Sequence, residues 1–249
     1  MLKHFQIPEE DAVRVQADKL RSTVEQIFSK MGEDEERARI GADVLLYADL
    51  RGVDTHGVSN MLRNYVNLYN EGSLNPCADW KIVHETASTA TVDADGGLGI
   101  IVCKPIMELA IEKARKTGSG SIAIRNSGHA GAVGYFAHMA AQADMLGMAM
   151  TAGGNAMIPT FGAEPRLGTN PIAFAAPAAT EPPFLFDFAV TTIAGNKIGL
   201  ARRMGKPLQA GWLSHDDGTP DMVGGQDGVS EFRKHLPLGS TRELGSHKG

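Results

Sequence analysis

The sequence predicts an α+β fold whose first third is entirely helical. Apolar residues recur at helical spacing up to residue 72, whereas short β-rich runs alternate with amphipathic helices after residue 81. Glycine accounts for 29 of the 249 residues, above the roughly 7% typical of proteins, which indicates many tight turns. We therefore expect a helical domain at residues 1–75 and an α/β domain at residues 76–249.

Three helices are predicted in the first third. The first covers residues 9–32, with Gly32 as a natural C-cap, and the second covers residues 34–51. The third has Tyr65 among its apolar positions and ends at Gly72. The first third is therefore expected to be all helix.

The rest of the chain mixes strands with helices, and residues 207–249 are mostly loop because Gly, Pro and Asp are frequent there. The predicted strands cover residues 81–85, 89–93, 121–125, 147–151, 171–176 and 184–188. The predicted helices cover residues 100–117, 132–145 and 191–204.

Composition excludes several classes of protein. The net charge is −5 and the pI about 5.9, so no broad basic surface favours a nucleic-acid partner. Cys77 and Cys103 are too few for a disulfide scaffold or a cysteine zinc site. The N-terminus lacks an apolar signal region and no stretch is long enough to cross a membrane, so a soluble, cytoplasmic protein is expected.

The usual cofactor and metal motifs are not matched. Gly118-Ser119-Gly120 follows a helix and precedes a strand, the reverse of a Rossmann phosphate loop, which predicts a helix C-cap and turn there. His129 and His138 are nine residues apart without cysteine or HExxH partners, so no metal site is predicted.

His56 stands out because it follows Asp54-Thr55 and precedes a helix. A helix N-terminus lowers the pKa of an imidazole, which suits a proton-transfer group near neutral pH. The alternative is that Asp54 or Thr55 is an ordinary N-cap and His56 a surface side chain.

His129 lies in a loop of small residues, Asn126 to Gly134, between a strand and a helix. Such a loop can present backbone amides to an anion, so His129 could contact a cofactor. The alternative is a tight loop with an incidental histidine. Asp187, between two phenylalanines, needs a partner or a ligand unless it lies at the surface of a strand end.

These segments together resemble the malate/L-lactate dehydrogenase family, which also contains ureidoglycolate and sulfolactate dehydrogenases and cyclic-imine reductases. The matching runs occur in the family's order: residues 48–57 (ADLRGVDTHG), 126–129 (NSGH), 168–171 (GTNP), 185–189 (LFDFA), 211–212 (GW), 236–239 (LPLG) and 247–249 (HKG). The resemblance implies an NAD(P)-binding fold that is not a Rossmann fold.

The resemblance also implies roles for individual residues. Thr55 and His56 take the place of the catalytic hydroxyl–histidine pair, and His129 that of a second active-site histidine near the nicotinamide. Thr169 and Asn170 lie in the cleft for substrate and cofactor. The implied cofactor contacts are His129, Ala130, Gly131, Asp187, Phe188, Ala189, His247 and Lys248.

Three features depart from the family pattern. Thr55 replaces a common serine but keeps the hydroxyl, and Asn60 replaces an arginine that clamps the substrate carboxylate. Arg63, three residues further along the helix, is the expected substitute. The chain ends at Gly249, directly after the HKG run, where family members continue, so it looks like a fragment.

The leading hypothesis is an oxidoreductase that transfers a hydride between NAD or NADP and a small 2-hydroxy acid such as malate or lactate. One alternative is an NADPH-dependent cyclic-imine reductase of the same fold. Another is an inactive fragment that serves only as a dimerising or binding module. A homodimer, formed through the helical third, is expected from the resemblance.

Overall fold

The computed structural model describes residues 7–225 and 234–248. Six α-helices and six β-strands occur within these residues, in the predicted α+β arrangement. The helices are α1 (Ala17–Lys30), α2 (Glu35–Leu50), α3 (Val58–Asn70), α4 (Gly99–Thr117), α5 (Gly134–Gln142) and α6 (Gly195–Arg203). The strands are β1 (Lys81–Glu85), β2 (Thr89–Asp93), β3 (Ser121–Arg125), β4 (Gly147–Met150), β5 (Ile172–Ala176) and β6 (Phe184–Phe188).

The largest difference between a predicted and an observed helix is at α1. This helix begins at Ala17, whereas the sequence predicts a start at residue 9. Glu9–Asp11 form a single 3-10 turn, and Val13 is 89% exposed. Residues 9–16 therefore have no apolar face to bury, and a helical turn without packing is unstable. The predicted C-cap at Gly118 is confirmed, because its φ is +87° and its N–H donates to the Ala114 carbonyl.

The strands form two three-stranded sheets, ordered β1-β2-β3 and β4-β5-β6. In the first sheet β1 is antiparallel to β2, and β2 is parallel to β3. A parallel pair needs a crossover connection, which α4 supplies between β2 and β3. The loop after β3, which carries His129, is thereby placed next to the start of α4.

The chain divides into two compact units. The helical unit comprises Val13–Ala149 and Phe174–Phe186, and the loop-rich unit comprises the described parts of Met1–Ala12, Met150–Ala173 and Asp187–Gly249. This division differs from the predicted boundary at residue 75. The reason is that the first three helices share a core with the start of α4, so they do not separate from the first sheet.

That shared core fixes the elements on which the candidate site depends. Phe28, Leu45 and Tyr65 are fully buried side chains of α1, α2 and α3, and they cluster with Leu98 and Ile100 at the start of α4. Burying one such side chain stabilises the fold by about 1.5–3 kcal/mol. The helix that follows His56 and the loop that carries His129 are therefore anchored to the same core.

A smaller core holds the loop-rich unit together. Ile193, Ile198 and Trp212 are buried there. His235 is only 2% exposed, and neither of its ring nitrogens has a hydrogen-bond partner among the described residues. Burial lowers the pKa of His235, because the charged imidazole would lose its hydration.

None of the described helices has the length and hydropathy needed to cross a bilayer.

His235→Leu is expected to raise the free energy of unfolding, more at pH 5.5 than at pH 7.5. An unpaired buried polar group costs about 1–3 kcal/mol, and leucine removes that cost. In addition, the folded-state pKa of His235 lies below its unfolded value, so the unfolded chain binds the proton first as the pH falls below about 6.5. The variant lacks this loss of stability at low pH. Urea unfolding at pH 5.5 and at pH 7.5 measures the two free energies of unfolding.

The matched control is His84→Leu, because His84 lies on the exposed strand β1. We expect it to leave the difference between the two pH values unchanged. A His235→Leu protein that is less stable than the parent at both pH values would show that the ring has a favourable partner.

Candidate active site

The segment that carries His56 is held by a carboxylate from the preceding helix. Asp49, in the last turn of α2, accepts a hydrogen bond from the Val58 N–H at 3.0 Å, which caps the start of α3. A Cβ at Gly57 would overlap this carboxylate, so only glycine fits between Asp49 and α3. The alternative that Asp54 or Thr55 acts as the N-cap is therefore wrong, because neither side chain caps the helix.

Thr55 and His56 form the predicted hydroxyl–histidine pair. Asp54–His56 is a single 3-10 turn in which the Thr55 Oγ1 lies 2.8 Å from the His56 Nδ1. Burial, together with a smaller effect of the nearby His129, lowers the pKa of His56 to about 4. The pKa is thus low as expected, but desolvation is the main cause rather than the helix N-terminus.

The loop after β3 holds His129 against the start of α4. The Gly128 N–H donates to the Gly97 carbonyl at 2.8 Å, and the His129 carbonyl accepts from the Ile100 N–H at 3.1 Å. The Gly131 N–H donates to the His129 Nδ1 at 3.3 Å. The Gly128 and Gly131 N–H groups therefore already have protein partners.

The two histidines lie together as a parallel pair. The ring centroids of His56 and His129 are 5.8 Å apart and the ring planes differ by 14°. Burial also lowers the pKa of His129, so both rings are neutral at pH 7. No hydrogen bond from a described residue reaches the Nε2 of either ring, and each Nδ1 is engaged by the protein. The pair therefore offers two uncharged ring nitrogens to a ligand.

The two residues of α3 predicted to bind the substrate carboxylate, Asn60 and Arg63, differ in their positions. The Asn60 amide donates to the Asp54 carbonyl at 2.5 Å, so it stabilises the turn that carries His56. Arg63 is exposed, and two helical steps of about 100° place it on the opposite side of α3 from Tyr65, which faces His129. A clamp by Arg63 stays a prediction without support from this arrangement.

The remaining predicted residues are divided between the units. Ala130 and Gly131, beside His129, are buried. The others belong to the loop-rich unit: Thr169, Asn170, Asp187, Phe188, Ala189, His247 and Lys248. Asn170 has a φ of +37° and its Oδ1 accepts from the Gly153 N–H at 3.4 Å, while His247 and Lys248 are exposed on a short 3-10 helix. Their cofactor and substrate contacts remain predictions.

Two residues of the site were missed by sequence reasoning. Asp49 belongs to the run that carried the resemblance, but a carboxylate that caps a helix nine residues later has no local signal. Tyr65 was placed among the apolar positions of the third helix, although its hydroxyl lies 2.8 Å from the His129 Nδ1. A tyrosine on an otherwise aliphatic face is the signal, since a buried hydroxyl needs a partner.

The comparisons with known proteins identify the family of the chain. The family model described as "Malate/L-lactate dehydrogenase" matches residues 15–249. A malate dehydrogenase from Pyrococcus abyssi is 43% identical over 242 residues, which cover 97% of this chain and 66% of that protein. The chain thus spans about two thirds of the length of this curated relative.

Solved structures share the fold. The sulfolactate dehydrogenase from Methanocaldococcus jannaschii superposes with a TM-score of 0.80 at 37% identity, covering 93% of this chain and 66% of that one. The Δ1-piperideine-2-carboxylate reductase from Pseudomonas syringae pvar. tomato gives a TM-score of 0.83 at 28% identity, covering 95% of this chain and 69% of that one. The chain belongs to the malate/L-lactate dehydrogenase family of oxidoreductases.

Gly57→Ala is expected to destabilise the site, because the added methyl group displaces the Asp49 carboxylate from the Val58 N–H. Loss of a helix cap costs about 0.5–2 kcal/mol. The His56 ring signals in an NMR spectrum should shift, and urea unfolding should show the loss of stability.

The control is Gly199→Ala in α6, where an added Cβ meets nothing within 4 Å. It should be neutral or slightly stabilising, since alanine favours helix. If Gly57→Ala behaves like this control, the contact between Gly57 and Asp49 does not position His56.

Proposed function

We propose that this chain transfers a hydride between a nicotinamide cofactor, NAD or NADP, and a small 2-hydroxy acid of the malate or lactate type, giving the 2-oxo acid. The observation that carries the proposal is the pair of neutral, stacked imidazoles, each held at Nδ1 by the protein. Oxidation of an alcohol needs a group that is uncharged at neutral pH and can receive the hydroxyl proton. The family membership supports the same reaction class.

His56 is the proposed proton-transfer group. When the His56 Nδ1–H donates to the Thr55 Oγ1, the His56 Nε2 is unprotonated and can take the proton of the substrate hydroxyl. Burial keeps this ring neutral over the whole physiological range, so the base is available without prior deprotonation. Thr55 thus fixes the orientation of the ring.

The residues of the loop-rich unit fit a dinucleotide by their chemistry. Gly153 and Gly154 are exposed, and a Cβ added at either would meet nothing within 4 Å, so the backbone there is open to a ligand. Lys248 is an exposed cation suited to a phosphate. When bound, a nicotinamide supplies the hydride acceptor or donor. We propose that binding uses a fold other than the Rossmann fold, since the Gly118-Ser119-Gly120 turn ends a helix.

A second candidate is an NADPH-dependent cyclic-imine reductase, which the likeness to the Pseudomonas reductase favours. The same imidazoles could then deliver a proton to a ring nitrogen. A third possibility is a non-catalytic module that dimerises or binds without turnover. The homodimer itself remains proposed on the resemblance to the family.

His56→Ala is expected to lower turnover by about a hundred- to ten-thousand-fold, the usual contribution of a general acid–base group, while largely sparing cofactor affinity. The assay follows nicotinamide absorbance with malate, lactate, sulfolactate and ureidoglycolate, each with NAD and with NADP. Cofactor affinity is measured separately by nicotinamide fluorescence.

His138→Ala is the matched control, because His138 lies on α5 against Tyr47 and outside the stacked pair. It should keep the parental turnover. Near-parental turnover in His56→Ala would remove His56 from the mechanism. Reduction of a cyclic imine but of no 2-oxo acid would favour the second candidate, and cofactor binding without any turnover the third.

A further inference from the structure

Tyr65 directs a buried hydroxyl at His129 of the stacked histidine pair. It lies on the core face of α3, is fully buried, and its hydroxyl is 2.8 Å from the His129 Nδ1. Burial raises the pKa of Tyr65, so the phenol keeps its proton. A buried O–H needs an acceptor, and the His129 Nδ1 is the one that the structure provides.

A second donor approaches the same nitrogen. The Gly131 N–H lies 3.3 Å from the His129 Nδ1, and a backbone N–H can only donate. Gly131 is held in this position by its backbone, whose φ is +68°, and by Ile100, against which an added Cβ would collide. Two donors that face one ring nitrogen require that nitrogen to be the unprotonated acceptor.

We propose that Tyr65 is a positioning residue that, together with the Gly131 N–H, holds His129 as the Nε2–H tautomer. The neutral ring then presents a hydrogen-bond donor, not a base, to whatever lies beside it. In a neutral imidazole one nitrogen donates and the other accepts, so fixing Nδ1 as the acceptor fixes Nε2 as the donor.

The consequence for catalysis, which rests on the proposed function, is that the two histidines have different roles. As the 2-hydroxy acid is oxidised, its C2 hydride goes to the nicotinamide, its hydroxyl proton goes to the His56 Nε2, and the C2–O bond becomes a carbonyl. The His129 Nε2–H donates a hydrogen bond to the same oxygen and keeps its proton. A neutral donor of this kind stabilises negative charge on that oxygen.

The tautomer can be measured without cofactor or substrate. Long-range ¹H–¹⁵N spectra of the ¹⁵N-histidine-labelled chain distinguish a protonated from an unprotonated ring nitrogen, and His129→Gln assigns the His129 signals. We expect a protonated Nε2 and an unprotonated Nδ1 at pH 7.5. Tyr65→Phe should move both ¹⁵N shifts toward a mixture of tautomers, because one of the two donors is lost.

The matched control is Tyr69→Phe. Tyr69 is the next buried tyrosine on α3, and its hydroxyl donates to Glu33 instead, at 2.5 Å. It should leave the His129 signals unchanged. In the enzyme assay, Tyr65→Phe should lower kcat by about tenfold, the effect of one lost hydrogen bond, with KM for the cofactor unchanged.

An unprotonated His129 Nε2 in the parent protein would overturn the proposal, as would Tyr65→Phe shifts identical to those of Tyr69→Phe. The ¹⁵N result is independent of turnover. A chain with the expected tautomer but without dehydrogenase activity therefore contradicts the proposed function and leaves the role of Tyr65 supported.

Discussion

Desolvation of two adjacent imidazoles is the constraint on which the site depends. His56 and His129 stack with their ring centroids 5.8 Å apart. At this distance two charged rings would repel each other strongly in a poorly hydrated environment, so at most one could carry a proton. Burial lowers both pKa values, and neutrality in turn allows the rings to stack. Any chemistry at this place must begin from uncharged rings.

The surrounding structure serves to hold those rings in place. Asp49 caps α3 and thereby fixes the turn that carries His56, and Gly57 is needed because the carboxylate occupies the space of a side chain. On the other side, Tyr65 and the Gly131 N–H hold the His129 Nδ1. These supports belong to helices and loops anchored in the core that α1 to α4 share, so the geometry rests on apolar burial rather than on surface charge.

Much of the fold was accessible from the sequence because apolar periodicity records which face of each element is buried. The strands at 81–85, 89–93, 121–125 and 184–188 agree with the observed bounds. The first helix was overextended because Val13 continues the apolar pattern while remaining exposed. The boundary at residue 75 is predicted where the sequence pattern changes from helical to β-rich. Packing between α2 and α4 joins residues that are far apart in the chain, so no local sequence pattern reveals it. Likewise, Thr55, His56 and His129 were identified from short motifs, whereas Asp49 and Tyr65 act through contacts that only the folded chain creates.

Whether the stacked histidines are neutral in solution can be read from the ionisation of His56. An NMR titration of the His56 ring signals, assigned with His56→Gln, can be followed from pH 8 to pH 5.5 in the chain without cofactor. We expect no titration in this range, because burial places the pKa of His56 at about 4. A midpoint near 6.5, the ordinary value for a solvated histidine, would contradict it. It would mean that the ring is hydrated and that the stacked, neutral pair does not exist in solution.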